Sequence, residues 1–285
     1  MVGKMQANSR NFEKRRIMKS IHLIAVNYHS YGLVERFLRS ADAAAARCKD
    51  FRVTVTIADN DAQELWQAPE LEHIECNVEA IKENVGYLGA AQRIWNKDGN
   101  NISEEYDYVC ISNVDLELAP DFFEVLYNYE TPHNCGWIVP DIFTPAAHSH
   151  ENPFMATRPT RTNFIIWKII YSSMTVYRLY NHLSAWRKRN ARRVDKGCVI
   201  YGGHGSFMLF TSFFAKQNPE INFPGFMYGE ELFFAELVRR CGAITVYAPE
   251  LRISNVGKVS TGAVSQQIKS AWSLSSLKAI ERLWF

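Results

Sequence analysis

The sequence has no closely paired cysteines and no long apolar run, and each absence excludes a class of protein. Its six cysteines include no C-x-x-C pair, which argues against a zinc site or a disulfide framework and favours a reducing cytoplasm. No stretch approaches the roughly 20 apolar residues that a membrane-spanning helix needs. Residues 1–19 are polar and basic and lack the apolar centre of a signal peptide, so we expect a flexible tail there.

Two phosphate-binding motifs are also missing. The sequence contains neither G-x-G-x-x-G nor G-x-x-x-x-G-K-[ST], which disfavours dinucleotide-binding Rossmann and P-loop proteins. The formal net charge of +2 is too small for a general nucleic-acid binder, so nucleic acid is not an expected partner. A length of 285 residues with 47% apolar residues suits one large α/β domain with an elaboration.

Acidic residues are absent from one long stretch, residues 152–194, which carries nine Lys or Arg side chains. Aromatic and aliphatic residues are interleaved with these charges, as in a basic amphipathic helical insertion. One interpretation is that residues from about 158 to 193 lie on an anionic membrane surface. The alternative is a helical hairpin that packs on the domain with a solvated basic face. The length of the stretch without an acid favours the membrane.

Segments typical of strands and of helices alternate through the first half of the chain. Short apolar runs predict strands at Ile21–Tyr28, Phe51–Ala58, His73–Val78 and Tyr106–Ile111. Helices are predicted over Leu33–Cys48 and from Gly89 to about Asn96, followed by a polar loop over residues 97–105. Further strands are expected within Val199–Thr211 and at Ala243–Tyr247. The alternation predicts an α/β fold with a mostly parallel central sheet.

Polar residues stand where the predicted strands end. Asn27 ends the first strand, Asp59 follows the second, and Asn113 and Asp115 follow the strand at Tyr106–Ile111. In open parallel sheets, ligands bind outside the carboxyl ends of the strands, so these residues predict a binding site. Asn113 and Asp115 suit Mg²⁺ or Mn²⁺ on a diphosphate, although the same residue types also occur as ordinary turn residues.

The segment FMYGEELFFAELVRRCG, which begins at Phe226, points most directly at chemistry. A helix that begins at its glutamates places Glu230 and Glu231 in the first turn, where the helix dipole favours carboxylates, so both are expected to stay ionised. A carboxylate fixed in this way can take a proton from a hydroxyl group. The alternative is an ordinary acidic first turn.

Two glycine-containing segments are weaker candidates. The stretch Asn84–Gly89 could allow the backbone to approach a nucleotide. His204 lies among glycines and is either a substrate contact or a residue that makes local hydrogen bonds.

Taken together, six segments follow one another in a specific order, namely VNY, ADND, ENVGYLGA, YDYVCISNVDLELAPDFF, YGGHGSFMLF and FMYGEELFFAELVRRCGAITVYAPELRIS. This order resembles the family 2 glycosyltransferases of GT-A fold and, more narrowly, their bacterial rhamnosyltransferase-like branch. The resemblance runs from about Ile21 to Gly262, and the basic segment is its least similar part. It implies a three-layer αβα GT-A fold and inverting transfer of a hexose or deoxyhexose, such as rhamnose, from a nucleoside diphosphate sugar.

The resemblance also implies roles for the strand-end residues. The residues implied to surround the base and ribose are Asn27, Tyr28 and Asp59, and those implied to form the loop beside the nucleotide are Asn84, Gly86 and Tyr87. Asn113 and Asp115 match the Asp-x-Asp or Asn-x-Asp motif, in which Asp115 is the implied ligand of Mg²⁺ or Mn²⁺. Glu231 is the implied catalytic base, and Glu230 is its structural or acceptor-binding neighbour.

Two departures from the family concern the metal and the base. Ser254 stands where the family often has a metal-binding histidine, and Asn113 replaces the first aspartate. The metal is therefore weakly held, delivered with the nucleotide sugar, or unnecessary. Glu231 is one methylene longer than the aspartate that the family usually has there.

These features predict the following organisation: a tail over 1–19, a GT-A domain over 20–262 and a C-terminal helical extension over 263–285. The domain is divided into a nucleotide-binding half, 20–118, and an acceptor half, 119–262, with the insertion at about 152–194. The predicted protein is cytoplasmic and peripheral at the inner face of the cell membrane, and its acceptor is a glycan or a polyprenyl-diphosphate-linked glycan of O-antigen or capsule synthesis. Two alternatives remain: a non-catalytic subunit that binds sugar nucleotides or glycans, and a nucleotidyltransferase, which lacks its expected phosphate loop here.

Overall fold

The strands of this protein form one central sheet. In the computed structural model, the described residues are 18–62, 66–180, 196–257 and 264–284. The strands are β1 (Lys19–Asn27), β2 (Phe51–Asn60), β3 (Glu75–Ile81), β4 (Tyr108–Asn113), β5 (Leu116–Leu118), β6 (Cys135–Thr144), β7 (Ser149–His150), β8 (Val199–Ile200), β9 (Phe207–Thr211) and β10 (Ile244–Asn255). The predicted tail lies outside the described residues up to residue 17, and β1 already begins at Lys19.

Helices cover both faces of the sheet. They are α1 (Tyr31–Ala45), α2 (Tyr87–Glu105), α3 (Phe122–Asn128), α4 (Arg161–Ser172), α5 (Ser212–Gln217), α6 (Glu230–Arg240) and α7 (Gln266–Trp284), with a short 3₁₀ turn at Pro145–Ala147 and further helical residues at 174–180. Side chains of α1 and α3 pack on one face, and side chains of α2, α5 and α6 pack on the other. This arrangement has three layers.

The strand order places the predicted site residues along one edge. Along the sheet the order is β3-β2-β1-β4-β9-β6-β10-β5, with β7 on β6 and β8 on β10. Strands β1 to β4 are mutually parallel, β6 and β10 are parallel, and β9 lies antiparallel between β4 and β6. Six of the ten strands therefore run in one direction, and their carboxyl ends share an edge with the amino end of β9. The predicted α/β architecture with a mostly parallel sheet is confirmed.

Two predicted boundaries differ most from the structure, and tertiary packing explains both. Helix α2 continues to Glu105, where a polar loop was predicted, because Ile102 is buried two turns beyond Trp95 on the same helix face. Strand β10 continues past Pro249 to Asn255, because a register shift between Ala248 and Arg252 accommodates the proline.

The basic segment is partly neutralised by the rest of the chain. Lys168 of α4 forms an ion pair with Glu281 of α7 at 2.8 Å, and Arg158 contacts Glu236 of α6 at 3.3 Å. Burial favours the neutral form of Glu236, but hydrogen bonds from Arg239 and Arg158 outweigh it and lower the pKa of this carboxyl. The segment thus packs on the domain through α4, while residues 181–195 lie outside the described part. Among the helices that the structure describes, none is both long and apolar enough to cross a bilayer.

A buried histidine makes the stability of the fold depend on pH. His22 of β1 is 3% exposed, and its Nε2 lies 2.8 Å from the Thr56 hydroxyl. Burial lowers the pKa of His22 from 6.5 to about 4, although Glu105 opposes the shift. The unfolded chain therefore binds a proton that the folded chain excludes, and stability falls as the pH drops from about 6.5 to about 4.

We expect this histidine to cost the fold about 2–3 kcal/mol between pH 7 and pH 4.5. The measurement is urea unfolding of the wild type and of His22→Gln at both pH values, because glutamine does not titrate. The exposed His133 offers the matched control, His133→Gln. A wild type and a His22→Gln variant that lose equal stability over this range would contradict the prediction.

Candidate active site

The turn before β9 joins the two halves of the sheet edge. The backbone N–H of Asn113, at the end of β4, donates to the carbonyl of Ser206 at 2.8 Å. Gly205 and Ser206 are both buried. Since β9 runs antiparallel to β4, its preceding turn lies beside the strand-end residues of the first half. The end of the first half and the glycine-rich turn therefore meet at one place.

The adjacent glutamates lie at this turn. Helix α6 begins at Glu230, as predicted, after Gly229 in a left-handed conformation (φ +93°). The backbone N–H of Gly205 donates to Glu231 Oε1 at 3.2 Å. A Cβ at Gly205 would lie 2.7 Å from Glu230 Cγ and 3.0 Å from Glu231 Oε1. Glycine is therefore required at 205, and the backbone rather than a side chain holds the Glu231 carboxylate.

Burial, reinforced by the neighbouring Glu231 carboxylate, raises the pKa of Glu230. This carboxyl packs against the turn at Gly205, and its loss of hydration opposes the stabilising effect of the helix dipole. The expectation that both glutamates stay ionised considered the dipole alone and left this burial out. A neutral Glu230 can donate a hydrogen bond.

Tyr87 lies among the carboxylates. Its hydroxyl donates to the carbonyl of Gly205 at 3.0 Å. The pKa of Tyr87 is raised, first by burial and then by Glu230, with smaller contributions from Asp115 and Glu231. The structure thus brings Tyr87, Asp115 and both glutamates together, as expected for one site assembled from both halves.

Asp115 has an oxygen available for a ligand. Its Oδ1 is buried and has no hydrogen-bond partner among the described residues. Burial raises the pKa of Asp115, while a hydrogen bond from Asn113 opposes the shift. A buried carboxylate oxygen without a partner, beside an amide, suits a hard cation. Asp115 and Asn113 therefore fit Mg²⁺ or Mn²⁺ as two of the several ligands that such an ion needs.

The protein offers few other groups for a metal. Within the described ranges, no group of three or more His, Cys, Asp or Glu side chains could hold an ion. Ser254 lies in β10, where it pairs with Glu117 of β5 and with Phe143 of β6. The carbonyl of Asp115 accepts the N–H of Val256 at 3.0 Å, so the end of β10 is close to Asp115. A donor diphosphate would have to complete the coordination of a cation here.

Asn27 and Asp59 are internal, not exposed to a ligand. Asn27 is 0% and Asp59 1% exposed. The Asn27 amide donates to Asp59 Oδ1 at 2.8 Å, and the Tyr31 hydroxyl donates to Asp59 Oδ2 at 3.0 Å. Asn27 Oδ1 accepts the N–H of Ser30 at 2.9 Å. These two residues fix the turn from β1 into α1, and Tyr31 stacks on Trp66 beside them.

The surface of this corner is formed by Tyr28 and its neighbour. Tyr28 is partly exposed, and its ring stacks on the ring of His29 at a centroid distance of 4.2 Å. His29 Nε2 lies 2.9 Å from the carbonyl of Asp61, which follows β2. Asn27, Tyr28 and Asp59 were predicted to surround the base and ribose. Of these three, Tyr28 is therefore the one whose side chain is accessible.

The loop Asn84–Gly89, which was predicted to approach a nucleotide, instead packs against another segment of the chain. Asn60 donates to Asn84 Oδ1 at 3.1 Å, and Asn84 Oδ1 also accepts the N–H of Gly86 at 3.0 Å. Gly86 has a φ of +80°, and a Cβ there would collide with the carbonyl of Phe226. Gly86 therefore allows this loop to pack against the segment that leads into α6.

Helix α7 supports that same segment. The Ser276 hydroxyl donates to the carbonyl of Met227 at 2.8 Å, and a Cβ at Gly229 would lie 2.7 Å from Ile280 Cδ1. The rings of Phe226 and Trp272 lie 5.1 Å apart. The predicted C-terminal extension is thus packed against the loop before the glutamates.

Sequence reasoning missed several residues of the site. Gly205, Tyr31 and Asn60 form hydrogen bonds that position Glu231, Asp59 and Asn84 respectively. The glycine cluster around His204 was the one signal for Gly205. His204 itself lies beside the turn. Its ring Nδ1 is 2.9 Å from the Ser206 hydroxyl, and its backbone N–H donates to Asn152 Oδ1.

Comparisons with known proteins give only structural similarity. No protein-family model matches the chain, and a search of curated proteins finds no match. A crystal structure of TarS from S. aureus is similar with 11% identity and a TM-score of 0.49, over 88% of this chain and 41% of that one. A structure of TarS residues 1–349 is similar with 10% identity and a TM-score of 0.47, over 91% of this chain and 70% of that one. This chain therefore spans less than half of the first structure, and similarity of fold does not establish function.

Proposed function

We propose that this protein is an inverting glycosyltransferase that moves a hexose or deoxyhexose from a nucleoside diphosphate sugar to a hydroxyl group of a glycan. The observation that supports it most is the convergence of Asp115, Tyr87 and Glu231 around the turn at Gly205. A fixed carboxylate on the acceptor side and an unpartnered carboxylate on the donor side are the two groups that such a displacement needs. The resemblance to family 2 glycosyltransferases of GT-A fold agrees with this assignment.

In the proposed reaction, Glu231 takes the proton of the acceptor hydroxyl. The acceptor oxygen forms a bond to the anomeric carbon as the bond from that carbon to the diphosphate oxygen breaks, which inverts the configuration. The nucleoside diphosphate leaves with the electron pair. Burial raises the pKa of Glu230 and so favours its neutral form, which can donate a hydrogen bond to the acceptor or to Glu231.

Asp115 and Asn113 would hold Mg²⁺ or Mn²⁺ together with the diphosphate. Such a cation, when bound, neutralises the charge that develops on the leaving group. On the donor side, Asn27 and Asp59 maintain the turn that presents Tyr28, and Asn84 is joined to Asn60 at the end of β2. We assign donor recognition to this corner of the sheet edge.

The acceptor in this proposal is lipid-linked, as in bacterial O-antigen or capsule synthesis, and the protein is peripheral at the inner face of the membrane. Helix α4 supports this, because Phe164 and Ile170 are buried while Ile165 and Ile169 are 54% and 58% exposed on its outer face. The other exposed aliphatic side chains nearby are Ile166, Val176 and Leu179. Exposed aliphatic residues in a segment that has lysines and arginines but no acids are typical of surfaces that bind anionic bilayers.

We expect the triple variant Ile165→Ser, Ile166→Ser, Ile169→Ser to bind vesicles containing anionic lipid at least about tenfold more weakly, since burying one isoleucine contributes about 1.5–3 kcal/mol. Vesicle co-sedimentation measures the change. Val199, 61% exposed outside this segment, offers the matched control Val199→Ser. Equal binding of the triple variant and the wild type would refute the membrane surface. The part of the predicted membrane surface that carries Arg187, Lys188, Arg189, Arg192 and Arg193 lies outside the described residues.

The experiment that tests the proposed function measures release of nucleoside diphosphate from a panel of uridine, thymidine and guanosine diphosphate sugars, with Mg²⁺ or Mn²⁺. Thermal unfolding with each sugar nucleotide shows which donor binds, because a ligand of the folded state raises its stability. Binding without release would favour the alternative, a non-catalytic subunit. The observation that supports this alternative is the weak metal site, in which Asp115 is the single strong ligand. A protein that neither binds nor consumes any donor of the panel would contradict the proposal.

A further inference from the structure

Gly205 makes two backbone hydrogen bonds to two different helices of the site. Its N–H donates to Glu231 Oε1 of α6 at 3.2 Å, and its carbonyl accepts the Tyr87 hydroxyl at the start of α2 at 3.0 Å. One residue without a side chain thus lies between the predicted donor loop and the predicted base. Any change in the position of this residue moves the N–H that Glu231 accepts.

The turn that contains Gly205 is held from several sides. A Cβ at Gly203 would lie 2.7 Å from Val139 Cγ2, and a Cβ at Gly202 would lie 3.1 Å from Ala235 Cβ. The N–H of His204 donates to Asn152 Oδ1 at 2.8 Å. The peptide after Gly205 is held at both of its polar groups, because its carbonyl accepts the Tyr87 hydroxyl and the N–H of Ser206 donates to His204 Nδ1 at 3.3 Å. Of these two side chains, Tyr87 is the one that comes from outside the turn.

We propose that Tyr87 is a positioning residue for the catalytic base, acting through the Gly205 carbonyl on the N–H that orients Glu231. The proposal rests on the proposed function of this site. It changes the role that the sequence predicted for Tyr87, which was to border the nucleotide. The residues of the preceding loop, Asn84 and Gly86, keep the donor side.

The chemistry of the Tyr87 hydroxyl suits this role. Burial, followed by the Glu230 carboxyl, raises its pKa, so the phenol remains protonated and remains a donor over the working pH range. The hydrogen bond from the Gly205 N–H restricts the rotamers of Glu231 and fixes its Oε1. Loss of this orientation is expected to misplace that oxygen relative to the acceptor hydroxyl.

The test is Tyr87→Phe, which removes the hydroxyl and keeps the ring. We expect kcat to fall about 10- to 100-fold, since a misplaced group of this kind costs up to about that factor, while the donor dissociation constant changes less than about twofold. Tyr108, whose hydroxyl lies 3.4 Å from that of Thr131 at the opposite end of β4, offers the control Tyr108→Phe, which should leave kcat unchanged.

A second measurement does not depend on turnover. Carboxyl ¹³C NMR of glutamate-labelled protein at one fixed pH, with Glu231→Gln to assign the signal, should show a Glu231 chemical shift in Tyr87→Phe that differs from that of the wild type. Unchanged kcat together with an unchanged chemical shift would overturn the positioning role. Weaker donor binding with normal kcat would also overturn it and return Tyr87 to the nucleotide. If the wild type consumes no sugar nucleotide, the proposed function fails, and the NMR chemical shift still decides the contact.

Discussion

Glu231→Gln is expected to reduce sugar transfer by about 10²- to 10⁴-fold, which is the usual contribution of a positioned general base. Glutamine keeps the length of the side chain, and its carbonyl oxygen can still accept the N–H of Gly205, so the turn should stay in place. The amide cannot take the proton of the acceptor hydroxyl. Donor binding, measured as the increase of the unfolding temperature by the sugar nucleotide, should remain within about twofold of the wild type.

The variant Glu230→Gln provides the most direct comparison with Glu231→Gln. Because burial raises the pKa of Glu230 and so favours its neutral form, Glu230→Gln replaces a hydrogen-bonding group by another of similar shape. Its loss of activity should therefore be smaller than that of Glu231→Gln by at least about tenfold. The exposed Glu220 offers a control for charge, and Glu220→Gln should behave as the wild type. Equal losses of activity in the Glu230 and Glu231 variants would contradict the proposal that Glu231 alone is the catalytic base.

Asp115→Asn is expected to reduce metal-stimulated transfer by about 100-fold or more, a cost similar to removing one group that stabilises transition-state charge. The substitution removes a negative charge from a buried position while the shape of the side chain is retained. Asp115 Oδ1 has no hydrogen-bond partner within the described residues, so no contact of that atom is lost. The ligand-free variant should therefore be as stable as the wild type or more stable, because a buried charge is costly.

Thermal unfolding with and without Mn²⁺ and donor separates this effect from misfolding. The wild type should gain stability when both are present, and Asp115→Asn should gain much less. Asp121, which pairs with Arg252 at 2.7 Å, provides the matched variant Asp121→Asn, whose response to metal should be normal. Metal-stimulated turnover at the wild-type level in Asp115→Asn would exclude Asp115 as the ligand.

The sequence allowed prediction of those parts of the fold that local patterns determine. Apolar runs that end in polar residues located the strands before Asn27, Asp59 and Asn113, and the Gly-Glu-Glu pattern located the start of α6. The continuation of α2 to Glu105 was not predictable from its polar residues, because the burial of Ile102 depends on elements distant in the chain.

The site was predictable as a set of residues but not as an arrangement. The pairing of Asp59 with Tyr31 joins residues 28 positions apart, and the contact of Gly205 with Glu231 joins residues 26 positions apart. No local sequence pattern predicts either contact. Burial and the neighbouring Glu231 carboxylate raise the pKa of Glu230, an effect that helix-dipole reasoning alone did not include.

The packing of α7 on the loop before α6 has a consequence for synthesis on the ribosome. The first four strands and their polar ends can assemble early, because chains fold largely from the N-terminal side as they are made. The loop from Phe226 to Gly229 gains its support from Trp272, Ser276 and Ile280 only afterwards. A nascent chain can thus form the polar ends of β1, β2 and β4 well before the loop that leads into α6 is supported. The proposed catalytic glutamates reach their final arrangement only when α7 has packed on this loop.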